Sequence, residues 1–468
     1  MSILSRAVCA VVAAFTVGAA LPAQADLSIA KRATKNVSCT AGSCVATARN
    51  AVMNIADLQN LLTSQPAVSL DAGAAKNIAV NAALTWTSSA TLSLTAQGSL
   101  TVNKPVTVAG SGRVTIHTGD GGLSFAPKAS LTFWDLGSAL TVNGAAYTLV
   151  GDIKSIGSDV QSGVALARDY DASSDGTYMY CPMFIYAPSG HLEGLGHTIT
   201  HFNANNGCLV YELDGALTNL HLSDAVISDP RDTTAIAVRS NSGLIDHVSV
   251  SGRIVDGGFV APMGGLAGEN FGTIRNSSAH VSMPIGGAWN GALVGVNQGT
   301  ISNSWAEGDV RGMGAGADLT GGLVGINAGT VKNSYSLANI HFRKNFGKFD
   351  SAHGGLVGQT SSSPHIPSIV LSSYSAGAVA PQSESGFAGG TVGSDGSSST
   401  FGSTYWVTDS SRHNPKQGAG NIPNDPGITG LTGAQMKSAL PAGFDPKIWG
   451  QSPNINSGYP YLLANPPQ

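Results

Sequence analysis

A five-residue phrase of glycines and aliphatic residues recurs four times in the second half of the chain and limits its possible folds more than any other feature. The copies begin at Gly264, Gly291, Gly321 and Gly354, so they start 27, 30 and 33 residues apart. The first three are followed by the phrases GTIRNSS, GTISNSW and GTVKNSY, and the fourth by a looser LSSYS at 371–375. Self-similarity at a nearly fixed period of about 20 to 50 residues is typical of solenoids, in which each repeat packs against its neighbours.

The residue types of the repeats decide between a helical and a β solenoid. The repeats are rich in Gly, Val, Ile, Thr and Ser, and their apolar residues alternate with polar ones. This pattern predicts short strands joined by glycine-containing turns. The predicted fold class is therefore all-β, a right-handed parallel β-helix, since parallel crossover connections are almost always right-handed.

The segment before the repeats shows the same pattern with less regularity. Pairs of apolar residues separated by one residue begin six to nine positions apart, and three such strands with their turns make a coil of about 24 residues. We therefore predict one solenoid from residue 76 to residue 408, with about 13 coils and a length of about 60 Å. The pairs are Leu92 and Leu94, Leu100 and Val102, Val106 and Val108, Val114 and Ile116, Leu123 and Phe125, Leu131 and Phe133, and Leu140 and Val142.

Both ends of a solenoid need a cap, because an open coil exposes unpaired strand edges. At the N-terminal side, 26–75 is predicted to hold a cap with an amphipathic helix at 54–63, opened by Asn54. At the C-terminal side, 409–468 is predicted to hold a cap and tail. There Thr432 and Gln435 fit a capping box that opens a helix running through Leu440.

Residues 1–25 have the features of a secretory signal peptide. Arg6 precedes an apolar run from Ala7 to Leu21, and Ala23-Gln24-Ala25 fits an A-x-A cleavage site. The run is shorter than the roughly 20 residues that span a bilayer, so cleavage is favoured over a membrane anchor. We expect the mature chain to be secreted or at the cell surface, with the periplasm as a further possibility.

Removal of that segment would discard Cys9 and leave four cysteines, an even number that suits disulfides in an oxidising compartment. Three pairings are possible, and the simplest joins Cys39 with Cys44 and Cys181 with Cys208. The second pair is 27 residues apart, one repeat length, so coil stacking would bring it within disulfide reach. Free thiols or a zinc site are the alternatives, but the spacing lacks the two close pairs that zinc sites use.

The composition excludes several classes of protein. Charged residues make up 11% of the chain, against about 25% in ordinary globular proteins, while 42% of the residues are apolar. That apolar content excludes a polar disordered chain. The formal net charge of −4 provides no basic field for nucleic acid or for an anionic membrane surface.

The repeat asparagines and aromatic residues suggest carbohydrate binding, since flat rings stack on sugars. Strand parity favours another arrangement: Val331 must point inward, so Asn333 and Tyr335 should point inward with it. We therefore predict an internal asparagine ladder and aromatic stack, with the polar residues between them on the outer face. The residues concerned are Asn276, Asn303 and Asn333, Trp305, Tyr335 and Tyr374, and, on the outer face, Ser302, Ser304, Lys332 and Ser334.

Two close pairs of carboxylates, Asp169 with Asp171 and Asp229 with Asp232, are the strongest candidates for catalysis. A glycosidase or lyase needs two such groups across a groove, or a carboxylate with a basic residue. Short acidic turns are more often Asx turns or weak calcium contacts, and Arg168 and Arg231 could neutralise these pairs.

The histidines His191, His197 and His201 could bind a metal, but their spacings fit no strand face, so surface positions are predicted. We predict no catalytic, cofactor-binding or metal-binding residue, and no cofactor.

The repeat GGLVGxNxGTIxNS, present at 264–278, 291–305 and 321–335, resembles the GLUG motif of bacterial surface and secreted proteins, which include adhesins related to filamentous haemagglutinin and some metal-dependent immunoglobulin A proteases. The stretch 92–116 looks like a haemagglutinin-type β-helix, and 191–199 looks like the coil that often precedes GLUG repeats. The endings LTGAQMKSAL and GYPYL also resemble those of GLUG proteins. The resemblance implies haemagglutinin-like coils over 76–260 and GLUG-type coils over 264–408. The chain has no HExxH motif, so zinc protease chemistry is not implied.

From the fold and the resemblance we expect an exported, monomeric, non-catalytic adhesin that binds glycans or another surface. The alternative is a secreted polysaccharide lyase or glycoside hydrolase on the same scaffold, because a fold does not fix a function. A third possibility is a structural element of a matrix or envelope.

Overall fold

The computed structural model describes residues 26–255, 261–284, 288–312, 318–341, 351–361, 367–379, 386–396, 399–410 and 415–467. Within these ranges the chain is nearly all β, and its stacked strands form a β-solenoid of about 14 turns. The predicted parallel β-helix is confirmed. The proposed signal peptide at 1–25, with Cys9, lies outside the described residues.

Four sheets run along the solenoid. In stacking order, sheet 1 contains Val37–Thr40, Ser43–Ala46, Ala67–Asp71, Thr91–Thr95, Arg113–His117, Ala139–Val142, Ala145–Val150, Gly163–Leu166, His191–Glu193, Ala216–Thr218, Leu244–Asp246, Thr273–Arg275, Thr300–Ser302, Thr330–Lys332, Ser368–Leu371 and Ser399–Gly402. Sheet 2 contains Tyr170–Asp171, Thr198–Thr200, His221–Ser228, Ser249–Val255, Ser278–Met283, Trp305–Arg311, Tyr335–Ser336, Tyr374–Ser375, Thr404–Val407 and Ile428–Leu431, with Asn203–Asn205 and Asn339–His341 paired at its side.

Sheets 3 and 4 complete the coils of the second half. Sheet 3 contains Met183–Ile185, Val210–Leu213, Val238–Asn241, Ala267–Asn270, Val294–Asn297, Val324–Asn327, Val357–Thr360 and Val392–Ser394. Sheet 4 contains Thr234–Ala235, Pro262–Gly264, Trp289–Gly291, Leu319–Gly321, Ser351–Gly354 and Gly386–Gly389.

Two smaller sheets complete the coils of the first half. Sheet 5 contains Gly122–Phe125, Ser99–Val102, Asn77–Val80, Asp26–Ala30 and Ala51–Asn54, and sheet 6 contains Leu131–Phe133, Val106–Val108 and Leu84–Trp86. The other regular elements are the helices Ile55–Ser64 and Gly433–Ser438, the short 3₁₀ turns Gly73–Ala75, Lys154–Ile156, Ala172–Asp175 and Asn456–Gly458, and the strand pair Trp449–Gly450 and Tyr461–Leu462.

The glycine phrases stack directly on one another. Gly264 lies opposite Gly291 on the next coil, Gly291 opposite Gly321, and Gly321 opposite Gly354. A Cβ added to Gly291 would lie 2.0 Å from the carbonyl oxygen of Val294, so the corner closes too tightly for any side chain. The repeat period therefore equals one coil, and its variation from 27 to 33 residues is absorbed between strands.

The predicted strand pairs of the first half are also confirmed. Leu92 lies opposite Val114, and Val114 lies opposite Leu140, with all three side chains in the interior. The predicted starting point, residue 76, is too late, because Asp26–Ala30 already pairs in parallel with Asn77–Val80. The sequence between them lacks the regular doublets because it also supplies a hairpin and the helix Ile55–Ser64.

Strand direction reverses in the middle of the solenoid, a feature that the repeat pattern does not predict. Ala139–Val142 and Ala145–Val150 form an antiparallel hairpin, and the next strand is parallel to the second of them. Asn143 and Gly144 make the turn with φ of 51° and 83°, the left-handed geometry that a tight hairpin requires. The solenoid thus consists of a first segment, 26–142, and a second segment, 145–431. Their strands run in opposite directions in sheet 1, apart from the edge strand Val37–Thr40, which is antiparallel to its neighbour Ser43–Ala46.

The two predicted caps contain the predicted helices. Asn54 accepts hydrogen bonds from the backbone N–H groups of Ala56 and Asp57, so it is the N-cap of Ile55–Ser64. Thr432 and Gln435 form the capping box of the second helix, which ends at Ser438, two residues earlier than predicted. Both expected disulfides are present, with Cα–Cα distances of 4.1 Å for Cys39–Cys44 and 4.5 Å for Cys181–Cys208.

Candidate functional site

An open groove of about 530 Å³ crosses the outer face of sheet 2. Its floor contains a row of side chains from five successive strands, in register from Thr198 through His221, Ser249 and Ser278 to Trp305. The next row along the strands contains Ser223, Ser251, His280 and Glu307. With strands about 4.8 Å apart, the floor is about 19 Å long.

The walls of the groove come from both segments. Lys128 and Ser130, from the last coil of the first segment, line one end. Lys128 has φ of 65°, an unusual value for a non-glycine residue. Beside His221 and Ser249, the C-terminal residues Ala464 to Pro466 line a smaller adjoining pocket of about 50 Å³.

The floor is weakly charged but rich in hydrogen-bonding groups. His221 Nδ1 lies 2.6 Å from the Ser249 hydroxyl, and burial lowers the pKa of this histidine, which favours the neutral ring. At one end Asp169 bonds to His197 Nδ1 and to the Thr198 N–H, both at 3.0 Å, and the bond from His197 is the main cause of its lowered pKa. At the other end Glu307 bonds to His280 at 2.6 Å.

Two features of this groove do not suit hydrolysis. Asp169, on the coil before Thr198, stands about five strand spacings from Glu307, roughly 24 Å, whereas paired glycosidase carboxylates are about 5 to 9.5 Å apart. The Ser249–His221 pair resembles a nucleophile with its base, but the amide of Ser249 donates to Leu220 and that of Ser278 to Val248. Those N–H groups are therefore not free to form an oxyanion hole on the floor.

The predicted inward position of the repeat aromatics is wrong. Trp305, Tyr335 and Tyr374 form a continuous stack on the outside of the coil, with ring centroids 5.9 and 5.0 Å apart. They are nevertheless buried, because the C-terminal segment folds back over them: Trp449 packs on Tyr335 and Tyr374, and Tyr374 donates to the Pro460 carbonyl at 2.6 Å. The alternation of inward and outward side chains does not extend from Val331 to Tyr335, because the chain turns between these two residues.

The residues at that turn are the asparagines predicted to form the internal ladder. Asn276, Asn303 and Asn333 have φ between 47° and 49° and are half-buried. Their left-handed conformation moves the following residue onto the opposite face. Two of the supposedly exposed serines, Ser304 and Ser334, are in fact completely buried, and each hydroxyl accepts the backbone N–H of the serine one coil before it. Ser302 is buried as well, whereas Lys332 is exposed as predicted.

Of the predicted asparagines, Asn303 donates to the side-chain oxygen of Asn276 one coil before it at 3.3 Å, but the fully buried ladder consists of other residues. The side-chain amides of Asn241, Asn270, Asn297 and Asn327 are fully buried and donate from each coil to the next at 2.7 Å. Three of them, Asn270, Asn297 and Asn327, are the asparagine of the repeated phrase GxNxGT. Their repetition was visible in the sequence, and their position one residue before the turn to sheet 1 could have identified them.

The carboxylate pairs make local contacts rather than a paired site. Asp171 bonds to His201, Asp229 to Arg231 at 2.7 Å, and Asp232 to Arg239 at 3.0 Å. Arg231 thus neutralises Asp229 as expected, whereas Asp169 is held by His197 and not by Arg168.

The three candidate histidines do not converge. His201 is exposed as predicted, but His197 is almost completely buried between Asp169 and the Leu131 carbonyl, which corrects its predicted surface position. His191 is also largely enclosed, between the hydroxyls of Tyr147 and Thr218. No group of three or more potential metal ligands occurs among the residues that the structure describes.

Comparisons with known proteins give a weak structural likeness. No protein-family model and no curated protein matches the chain. One solved structure, the 1.30 Å crystal structure of a "putative immunoglobulin A1 protease" from Bacteroides ovatus, aligns with a TM-score of 0.43 and 16% sequence identity over 68% of this chain and 92% of the other. At this level the likeness carries no argument about activity. In the described part of the chain, no helix is long and apolar enough to cross a membrane.

Proposed function

We propose that this protein is an exported, non-catalytic glycan-binding β-helix protein of the adhesin type, related to the GLUG-motif and haemagglutinin-like proteins that its repeats resemble. The groove on sheet 2 carries the proposal. It offers hydroxyl and imidazole groups at regular intervals along five strands, and the largely buried Trp305 lies at its far end.

The chemistry of the floor suits an uncharged polymer. Ser223, Ser249, Ser251 and Thr198 can each donate and accept hydrogen bonds, as sugar hydroxyls do. The floor repeats at about 4.8 Å, a distance comparable to one sugar unit of an extended chain. A polysaccharide running along the solenoid axis could therefore make similar contacts on each coil, and the distances between carboxylates favour binding over cleavage.

The two disulfides support export, because such bonds persist in oxidising compartments. The C-terminal segment covers the aromatic stack at one end of sheet 2, whereas the groove leaves the outer face of the neighbouring strands open to solvent. This difference supports the groove as the binding surface.

The test is retention of the purified protein on a panel of bacterial, plant and host polysaccharides, with soluble reducing ends and unsaturated sugars measured in parallel. The variant Ser251→Arg places a long side chain in the groove and should lower the affinity for the retained polymer at least tenfold. Ser93→Arg, the same change on the outer face of sheet 1 in the first segment, is the matched control and should bind like the unmodified protein.

We expect the protein to be retained on a polysaccharide without releasing sugar products, and we expect Ser251→Arg, but not Ser93→Arg, to lose this retention. Release of sugar products would instead establish the alternative, a polysaccharide lyase or hydrolase. Failure of every polymer to bind, or equal binding by both variants, would overturn the groove as a binding site.

A further inference from the structure

A cluster of aromatic side chains lies on the outer face of sheet 3, away from the groove. Phe184 stacks on Tyr186 with centroids 5.2 Å apart and packs against Tyr211 at 5.1 Å. Tyr186 is 44% exposed, a large fraction for an aromatic residue that its neighbours already contact. We call Phe184, Tyr186 and Tyr211 the aromatic platform.

The platform is held rigidly by the coil structure. Phe184 belongs to Met183–Ile185 and Tyr211 to Val210–Leu213, which are adjacent parallel strands. The disulfide Cys181–Cys208 joins the two coils two residues before each of these strands. A surface with little conformational freedom loses little entropy when it binds a ligand.

The charges around the platform are mainly negative. Asp159 pairs directly with Phe184 through a β-bridge, and Glu212 and Asp214 follow Tyr211 on the same coil. All three carboxylates act on Tyr186, whose pKa is raised first by burial and then by Glu212. Within the described residues, none of the three forms an ion pair with a basic side chain.

The basic group that lies on the platform, Arg239, is already neutralised. The Arg239 guanidinium lies 4.6 Å from the ring centroid of Tyr211, and the same group bonds to Asp232 at 3.0 Å. This contact shows that a cation fits on the ring face, while the remaining carboxylates leave the surface with an excess of negative charge.

We propose that the aromatic platform binds a polysaccharide that carries free, protonated amino groups, such as a glucosamine polymer. The carbon-bound hydrogens of a sugar ring stack on a tyrosine face, an ammonium group is attracted both to the rings and to Glu212 and Asp214, and the hydroxyls donate to the same carboxylates. Two other ligands fit less well. A neutral glycan would leave the negative charge of the carboxylates uncompensated. A single lysine side chain would use one ring, whereas the platform offers three. The platform and the groove lie on different sheets, so this site does not depend on the function proposed for the groove.

The experiment measures binding of glucosamine oligosaccharides by titration calorimetry, at a pH where both the amine and the carboxylates are charged. Fully N-acetylated oligosaccharides of the same length and a basic peptide, oligolysine, serve as comparison ligands. We expect the amino form to bind at least tenfold more tightly than the acetylated form, with an affinity that falls as salt is added.

The variants separate the contributions of ring and charge. Tyr186→Ala and Glu212→Gln should each weaken binding about tenfold. Trp134→Ala, which removes another exposed aromatic side chain, and the groove variant Ser251→Arg should both bind normally. Circular dichroism of each variant confirms that it is folded.

Equal binding of the acetylated form would overturn the requirement for an amine. Tighter binding of oligolysine than of the amino sugar would assign the surface to a basic peptide instead. Absence of binding, or normal binding by both Tyr186→Ala and Glu212→Gln, would overturn the site altogether, whatever the polysaccharide panel shows for the groove.

Discussion

The hydroxyl of Thr218 donates to Oε2 of Glu193 at 2.6 Å, inside a chain of hydrogen bonds that also contains His191 and Tyr147. His191 Nε2 lies 2.5 Å from the Thr218 oxygen, and its Nδ1 lies 2.5 Å from the Tyr147 hydroxyl. Because Thr218 uses its hydrogen for Glu193, we infer that His191 donates from Nε2 and accepts from Tyr147 at Nδ1. The side chain of Tyr147 reaches His191 across Gly163, where a Cβ would lie 2.9 Å from the tyrosine ring.

Burial shifts the pKa values of Glu193 and His191 in opposite directions. The pKa of Glu193 is raised to about 7 and that of His191 is lowered to about 4. The folded state therefore keeps a proton on Glu193 that the unfolded state loses, so this group makes stability fall as the pH rises from 4.5 to about 7. For His191 the unfolded state holds the extra proton, so this group makes stability rise between about pH 4 and 6.5.

Replacement of His191 should make visible the fall in stability with pH that Glu193 causes, because the opposing contribution of His191 is removed. His191→Gln can keep both hydrogen bonds but does not titrate, so its free energy of unfolding should fall with pH more steeply than that of the unmodified protein. The difference between the two should change by up to about 3 kcal/mol between pH 4 and 6.5. Urea unfolding at a series of pH values measures it, with the exposed His201→Gln as the control, and parallel curves for His191→Gln and the unmodified protein would contradict the prediction.

Removal of one amide from the buried ladder should be costly. Asn297→Ala leaves the Asn270 amide without its acceptor and the Asn327 oxygen without its donor, so we expect a loss of about 2–4 kcal/mol in the free energy of unfolding. Asn103→Ala removes a similar amide-to-amide bond, to Asn81, at an exposed position and should cost below about 1 kcal/mol. Denaturant unfolding compares the two, and equal losses would show that the ladder contributes no more than a surface bond.

The covered aromatic stack should make the C-terminal segment essential to stability. Tyr335→Ala opens a cavity between Trp305, Tyr374 and Trp449, and we expect it to lower the free energy of unfolding by about 3–5 kcal/mol. It should also increase binding of a hydrophobic dye. Tyr180→Ala, at a tyrosine that is 70% exposed, is the control. A loss below about 1 kcal/mol from Tyr335→Ala would mean that the segment does not seal the stack.

The two disulfides should contribute unequally. Chain entropy predicts about 3.5 kcal/mol for Cys181–Cys208, which closes a separation of 27 residues, and about 2 kcal/mol for Cys39–Cys44, with a separation of 5. Double Cys→Ser variants of each pair, compared by denaturant unfolding, test this order. A larger loss from the Cys39–Cys44 pair would show that the stacked coils already restrain Cys181 and Cys208 without the bond.

The strands, the coil period and both disulfides could be read from the sequence because they depend on local patterns. Alternation of apolar residues such as Leu92 and Leu94 fixes which side faces the interior, and the glycine at each repeat start marks a corner too tight for a side chain. Stacking then places equivalent residues one coil apart, which is why a separation of one period brought Cys181 and Cys208 together.

Three features depended on the tertiary structure. The left-handed turn at Asn333 reversed the facing of Ser334 and Tyr335, and a simple alternation rule cannot include such a turn. The hairpin at Asn143 and Gly144 reversed the strand direction, so that Lys128 of the first segment lines the groove of the second. The C-terminal segment covered Trp305 and Tyr374 from far along the chain. Periodicity along the sequence determines what lies inside each coil, whereas the exposure of an outward side chain depends on which distant segment packs against it.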